Sequence, residues 1–346
     1  GAAKQSGDIH YWDVWWGQKP FEDYRTHIGR FMSEYGFQSF PELRTVAAYA
    51  KPEDYDIFSG VMQAHQRSSI GNGTIRNYMQ RDYKVPKDFA HFLYVGQVLQ
   101  AEGIKMAMEA HRARRDYCMG SLFWQINDCW PVASWSSIDY YGRWKAQQFY
   151  ARKSFAPILV SAWRDGDQIS VHVVSDELKD RRADLLIEVV DFYGKVLRAR
   201  RQPLTLKANA AATPYKASVY ELLSGFLPAA VLVRARLIAG RATLAQATLA
   251  EDRLYVRPVK DLDLPDAKVT AKARALPGGD IAIALTSDAL AKNLYLSFDA
   301  ADGAFSDNYF DLLPGETVVV TFKPAKPMTA AQAMSGLKLL HMAQAT

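Results

Sequence analysis

Apolar positions along this chain follow two periods, and the change between them falls near residue 156. Upstream, short apolar runs alternate with stretches of helical spacing. Residues 31–37, FMSEYGF, read as a short strand that ends on polar residues. Ser39 and Glu42, with Pro41 between them, have the spacing of a capping box and predict a helix through Leu43, Val46 and Ala47. Lys51-Pro52-Glu53-Asp54 then punctuates the chain; Ile57, Val61 and Ala64 mark a short helical face, and His65-Gln66-Arg67 closes it before an Asn72-Gly73 turn. The longest helix is expected over 88–115. It carries Phe92, Val95, Leu99 and Met106 near one face, and Arg112, Arg114 and Arg115 at its C-terminal end, where cations complement the helix dipole. Asp116 and Tyr117 turn the chain into a second strand, CMGSLFWQIND at 118–128. Strand, helices, strand is α/β wiring, and chemistry in such folds collects at the C-terminal ends of strands.

Downstream, short apolar alternations separated by Asp, Gly and Pro turns predict strands at 157–163, 168–175, 184–191, 196–200, 217–222 and 230–237, enough for one β-sandwich. The alanine-rich stretch at 208–213 reads as a variable loop. A polar connector, 260–266, precedes a second series at 268–275, 280–286, 293–298, 316–322 and 336–341. The expected organisation is an α/β part over 1–155, a β-sandwich over 156–260 and a second over 266–346.

Composition narrows the partners. The chain has 346 residues, 49% hydrophobic and 23% charged, which excludes a disordered or fibrous protein. The net charge of +5 is spread evenly: residues 1–155 hold 19 basic against 16 acidic side chains, and the remainder 23 against 21. No basic face for nucleic acid is implied. Cys118 and Cys129 lack the number for a disulfide framework and the companions of a zinc site, and the histidines are dispersed, so no metal or other cofactor is expected. No apolar run reaches 18 residues, so no membrane span is expected, and the first residues resemble no signal peptide. Nucleotide-binding, zinc-protease and α/β-hydrolase motifs are absent from the sequence.

Seven of the eight Trp and twelve of the eighteen Tyr precede residue 152, which draws attention to three constellations there. Glu34 follows an apolar strand between aromatic residues, a setting for a nucleophile or general acid, and equally for a structural carboxylate at a strand end. In LFWQINDCWP, strand alternation sets Trp124 and Ile126 on one face and Phe123 and Gln125 on the other. Trp124 then serves either as an apolar floor beneath a ring-shaped substrate or as core, with Gln125, Asn127 and Asp128 as partners for hydroxyls. His10-Tyr11-Trp12-Asp13-Val14-Trp15-Trp16 gathers four aromatic side chains beside a histidine, as a carbohydrate platform does, although such a cluster also builds cores.

These motifs carry a resemblance. HYWDVWWG, RFMSEYGFQSFPE and GSLFWQINDCWPVASWSSIDYYGRWKA resemble the C-terminal part of the β-mannosidases of glycoside hydrolase family 2, and FSDNYFDLLPGETVVV at 305–320 resembles their terminal sandwich. The resemblance implies a multidomain α/β plus all-β chain, in which the C-terminal part of a (β/α)8 TIM barrel is followed by two immunoglobulin-like β-sandwich domains. It implies an exo-acting, retaining hydrolase of terminal β-D-mannose, against the alternative of a non-catalytic carbohydrate-binding or structural module. Glu34 matches the nucleophile at the end of barrel strand seven, and Trp124, at the end of strand eight, matches a lining of the mannose subsite. His10, Tyr11 and Trp12 match an aromatic wall, and Gln125, Asn127 and Asp128 the polar end of strand eight. Trp16 stands where the family commonly has His, which implies a wall role there. The acid/base glutamate of the family lies in an Asn-Glu pair on strand four, and residues 1–33 contain only Glu22. The expected partners are therefore an N-terminal part of the same enzyme, as a separate chain, and a β-mannoside substrate. The resemblance also implies a periplasmic or secreted location.

Overall fold

A computed structural model describes residues 7–239 and 248–346, so the first half of the opening segment that resembles no signal peptide, residues 1–6, lies outside the described part. The chain divides into two units: residues 1–36, 103–123 and 151–263 form one, and residues 37–102, 124–150 and 264–346 the other.

The first unit opens on a parallel ladder. Strand β1 (Ile9–His10) pairs with β2 (Met32–Glu34), placing His10 opposite Glu34. The run around Ser121 adds a third parallel rung through Met32, with Met32 N–H on Gly120 O at 2.9 Å and Leu122 N–H on Met32 O at 2.8 Å. The predicted strand over 118–128 is thus a ladder only near Ser121, and among the described residues these strands do not close a barrel.

Five helices follow: α1 (Leu43–Val46), α2 (Gly60–Ala64), α3 (Gly71–Asp82), α4 (Phe89–Ala113) and α5 (Ala146–Ser154). Helix α4 matches the expected long helix closely. The capping box does not form: Glu42 is the N-cap without a side-chain cap bond, because Ser39 donates to Gln100 Oε1 at 2.7 Å and Glu42 takes Arg143 and Tyr295. The expected Asn72-Gly73 turn is instead the first turn of α3. Asn72 is buried, accepts from Gln66 Nε2 at 2.7 Å and donates to Ile57 O at 2.5 Å, so it serves the helix start as a tertiary anchor.

The first sandwich belongs to the first unit. Strands β3 (Ile158–Asp165), β4 (Gln168–Ser175) and β7 (Ala210–Ser218) form one sheet in the order β3-β4-β7. Strands β5 (Arg181–Asp191), β6 (Val196–Leu206), β8 (Val231–Ile238) and β9 (Thr248–Leu254) form the other, in the order β6-β5-β8-β9. Val160, Val171, Leu185, Ile187, Val233 and Leu237 share its core. Two expectations are corrected here. The alanine-rich loop is the edge strand β7, and most of 217–222 is a short helix, α6 (Val219–Leu223), capped by Ser218 Oγ on Glu221 N. Small side chains suffice at an edge, where ladder bonds to β4 set the conformation.

The second sandwich belongs to the second unit. It sets β10 (Val269–Ala275), β11 (Ile281–Ser287), β15 (Val318–Pro324) and β13 (Gly303–Phe305) against β14 (Phe310–Leu312), β12 (Ala291–Phe298) and β16 (Leu337–Leu340). Ile281, Ile283, Leu285, Leu294, Leu296, Leu312 and Val320 are buried together. No described helix is long and apolar enough to cross a membrane.

Candidate active site

Strands β1 and β2 bring the N-terminal candidates to one end of a ladder in the first unit. His10 and Trp12 both face the Glu34 carboxylate: Trp12 donates its indole N–H to Oε2 at 3.1 Å, and His10 Nδ1 lies 3.3 Å from the same oxygen. This convergence follows from strand geometry. His10 pairs with Glu34 across the ladder, and the Tyr11 N–H donates to Glu34 O at 2.8 Å, so the next side chain reaches the same neighbour. The other face of the His10 ring looks to Asp8, with Nε2 at 3.6 Å from Oδ2, and Ser33 Oγ donates to that Asp8 oxygen at 2.5 Å. This hydrogen bond is the leading cause that holds the exposed Asp8 carboxyl below the usual range. Glu34 itself is about one-quarter exposed, so one indole donor and one imidazole meet a carboxylate that solvent still reaches.

Tyr11 is buried among rings. Its phenol donates to Asp23 Oδ2, its ring stacks on His27 at 5.0 Å and 12°, and Tyr24 meets it edge-on at 5.9 Å. Trp16 is half-exposed and stands edge-on to Trp15. Gly17 follows where a Cβ would lie 2.6 Å from Asp13 O, so the chain can turn back there only without a side chain.

The second unit holds the other candidates. Trp124 is exposed, and its peptide bond to Gln125 is cis. Leu122 and Ile126 are exposed as well, while Phe123 and Gln125 are half-buried, so the predicted alternation survives in exposure although the segment is no regular strand. Gln125 donates to Asn127 O at 3.0 Å, and Asn127 bridges to Ile138. Asp128 is buried and accepts from Ser134 Oγ at 2.7 Å and Ser136 Oγ at 2.5 Å, one hydroxyl on each carboxylate oxygen. Beneath this loop, Lys145 is fully buried and donates to Ser39 O at 3.1 Å and Ser134 O at 3.3 Å. Burial pushes its ammonium down to about 8, against the opposing pull of Asp128 and Asp139.

His65 is a packing residue. It stacks on Tyr49 at 3.9 Å and its Nδ1 meets Pro131 O at 2.6 Å. Among the described residues no group of three or more His, Cys, Asp or Glu is placed to hold a metal ion. Sequence reasoning missed Asp8, Ser33, Asp23 and His27. Asp8 and His10 share a strand face at i, i+2, and Asp23 and His27 stand at i, i+4, but neither spacing is distinctive without its tertiary partner.

The chain is similar to known proteins over most of its length. A mannosidase Ig/CBM-like domain family matches residues 167–261, and a mannosidase Ig-fold domain family matches 264–345. These matches define the class as chains that carry mannosidase-type immunoglobulin-like domains. More narrowly, the chain is a homologue of the β-mannosidases of glycoside hydrolase family 2. It is 29% identical to the Capra hircus β-mannosidase over 94% of this chain and 38% of that protein. It is 27% identical to β-mannosidase B of Thermothelomyces thermophilus, over 91% of this chain and 40% of that protein. The crystal structure of the Dictyoglomus thermophilum β-D-mannosidase superposes with a TM-score of 0.86 at 27% identity, over 97% of this chain and 40% of that one. The Amycolatopsis orientalis exo-chitosanase CsxA shares the fold, with a TM-score of 0.69 at 16% identity over 98% of this chain and 44% of that one. The chain thus spans about two-fifths of the length of the β-mannosidases it matches.

Proposed function

We propose that this chain is the C-terminal portion of an exo-acting, retaining β-mannosidase that removes terminal non-reducing β-D-mannose from β-mannosides, manno-oligosaccharides or glycans. In this reading residues 1–155 complete a TIM barrel, and 156–260 and 266–346 are bracing sandwiches. An upstream polypeptide of the same enzyme supplies the remaining strands and the acid/base glutamate. A periplasmic or secreted location rests on the family resemblance alone.

The observation that carries the reading is the Glu34 carboxylate at the end of β2, with Trp12 and His10 both on Oε2. A nucleophilic carboxylate must hold one orientation while the anomeric carbon approaches; the Trp12 N–H bonded to Oε2, with the His10 ring against the same oxygen, restricts the carboxylate plane. A retaining pair stands about 5 to 5.5 Å apart, so the second carboxyl group faces Glu34 at that separation in the complete enzyme. Trp124 offers an indole face to the apolar side of the mannose ring, and Gln125 and Asn127 offer polar atoms to its hydroxyls. Asp128, held by Ser134 and Ser136, shapes the loop that presents them. Trp16 lines the approach.

The test is Glu34→Gln in the complete enzyme, combined with 2-deoxy-2-fluoro-β-D-mannosyl fluoride. Glu34→Gln keeps the volume and removes the anion, so turnover of an aryl β-mannoside should fall by several orders of magnitude, far beyond the ~1 to 2 kcal/mol of an ordinary hydrogen bond. The fluoro sugar should label the peptide that spans residues 30–38 in the parent enzyme. Unchanged turnover, or a label on another carboxylate, would defeat the assignment of Glu34; a complete enzyme with neither turnover nor label would favour a binding module.

A further inference from the structure

We propose that Asp23 is a positioning residue for the Glu34 site and acts through Tyr11, which is thereby a brace rather than a wall that touches sugar. The proposal rests on the reading of Glu34 as nucleophile. Asp23 lies in a single 3-10 turn, Phe21–Arg25, and its carboxylate takes the Tyr11 phenol and faces His27 Nδ1 at 3.1 Å. The His27 ring in turn stacks on the Tyr11 ring. One carboxylate therefore fixes both the tip of Tyr11 and the plate that covers its face. At 7% exposure Tyr11 offers little surface to a substrate.

What Tyr11 fixes is the segment around it. Its N–H closes the β1–β2 ladder on Glu34 O, and the residues on either side, His10 and Trp12, are the two that reach Glu34 Oε2. Successive side chains of an extended segment point to opposite faces, so Tyr11 is held from one side and its two neighbours reach Glu34 on the other. Removal of Asp23 takes a charged acceptor from a buried phenol, and a shift of the segment away from the ladder is one way to regain hydration. A shift of about 1 Å at catalytic groups is enough to cost on the order of a hundredfold in rate.

The experiment compares Tyr11→Phe, Asp23→Ala, Asp23→Asn and the double variant Tyr11→Phe/Asp23→Ala in the complete enzyme, with an aryl β-mannoside as substrate and thermal unfolding recorded for each. Asp23→Ala and Tyr11→Phe should each lower kcat by roughly tenfold or more while KM moves by less than about twofold. The double variant should fall no further than Asp23→Ala alone, because both single changes cut the same link. Asp23→Asn keeps an acceptor for the phenol and should recover most of the rate. Inactivation by 2-deoxy-2-fluoro-β-D-mannosyl fluoride should slow in parallel, with the label still on Glu34.

A raised KM with unchanged kcat in Tyr11→Phe would make Tyr11 a substrate contact and overturn the proposal. Losses that multiply in the double variant would overturn it as well, as would a rate in Asp23→Asn no better than in Asp23→Ala. Tyr11→Phe removes a single oxygen, so a folded variant is available even if Asp23→Ala unfolds. A label on a carboxylate other than Glu34 in the parent enzyme would instead defeat the nucleophile assignment, and the role of Asp23 with it.

Discussion

His111 Nδ1 meets the Ser121 hydroxyl at 2.8 Å, and the Tyr35 phenol reaches the same Oγ at 2.8 Å. This buried junction ties the long helix to the residue after Glu34 and to the bridge that Ser121 makes with Met32. Among the described residues His111 Nε2 has no hydrogen-bond partner, and burial pushes the imidazole down to about 3. An unfolded imidazole titrates near 6.5, so between about pH 6.5 and 3 the unfolded chain binds a proton that the folded one refuses. His111 therefore contributes its full stability above about pH 6.5, and the contribution falls as pH drops, by about 2 kcal/mol at pH 5. In urea titrations, His111→Gln should flatten this acid-side slope between pH 7 and 5. Identical slopes for the two proteins would show that the junction titrates like free imidazole.

Trp124 is 42% exposed, so its truncation removes less buried surface than that of a core tryptophan such as Trp15. Trp124→Ala in the complete enzyme should keep its unfolding temperature while kcat/KM falls by more than about tenfold, since stacking strengthens as the sugar ring flattens toward the transition state. A collapse of stability before any measurable loss in kcat/KM would make Trp124 a packing residue.

Gly103 sits in α4 where an added Cβ would lie 2.2 Å from Phe21 Cε1. Alanine gains up to about 1 kcal/mol of helix propensity there, but displacing a packed ring typically costs about 1 to 3 kcal/mol. Overpacking wins, and Gly103→Ala should lower the unfolding midpoint. A raised midpoint would mean that Phe21 swings aside at little cost.

Arg143 grips Asp302 with two parallel bonds, Nε to Oδ1 and Nη2 to Oδ2, each 3.0 Å, and its Nη1 donates to Thr45 Oγ1 at 2.8 Å. A lysine keeps the charge but not the fork. Arg143→Lys should destabilise the protein by about 1 to 3 kcal/mol. Chemical denaturation with an unchanged midpoint would show that solvent screening at the half-exposed Asp302 has already removed the advantage of the fork.

The long helix and most sandwich strands were legible because burial of one face imposes a period on many consecutive residues. Phe92, Val95 and Leu99 repeat every third or fourth position, and Ile281, Ile283 and Leu285 every second. Strand β7 was not legible, since an alanine-rich edge shows no contrast between faces. Short strands such as β13 and β14 are too brief to display a period at all. Glu34 and the aromatic segment before it stood out by residue type, but their contact did not. The pairing of His10 with Glu34 joins residues 24 positions apart, and Asp23 acquires meaning only once Tyr11 is folded against it. The capping box failed for the converse reason: Ser39 and Glu42 have the right local spacing, yet distant partners claim both side chains.

Lys145 gives the loop that carries Trp124 a built-in clock. Its amine is buried and donates to carbonyls on both Ser39 and Ser134, so an acylating reagent finds it only when those two bonds part. Surface lysines such as Lys207 and Lys338 react in the closed protein; Lys145 reacts at a rate set by how often the loop lifts. Timed pulses of reagent would therefore turn a static hydrogen-bond pair into a stopwatch for that opening, and a bound sugar that steadies the loop would slow it.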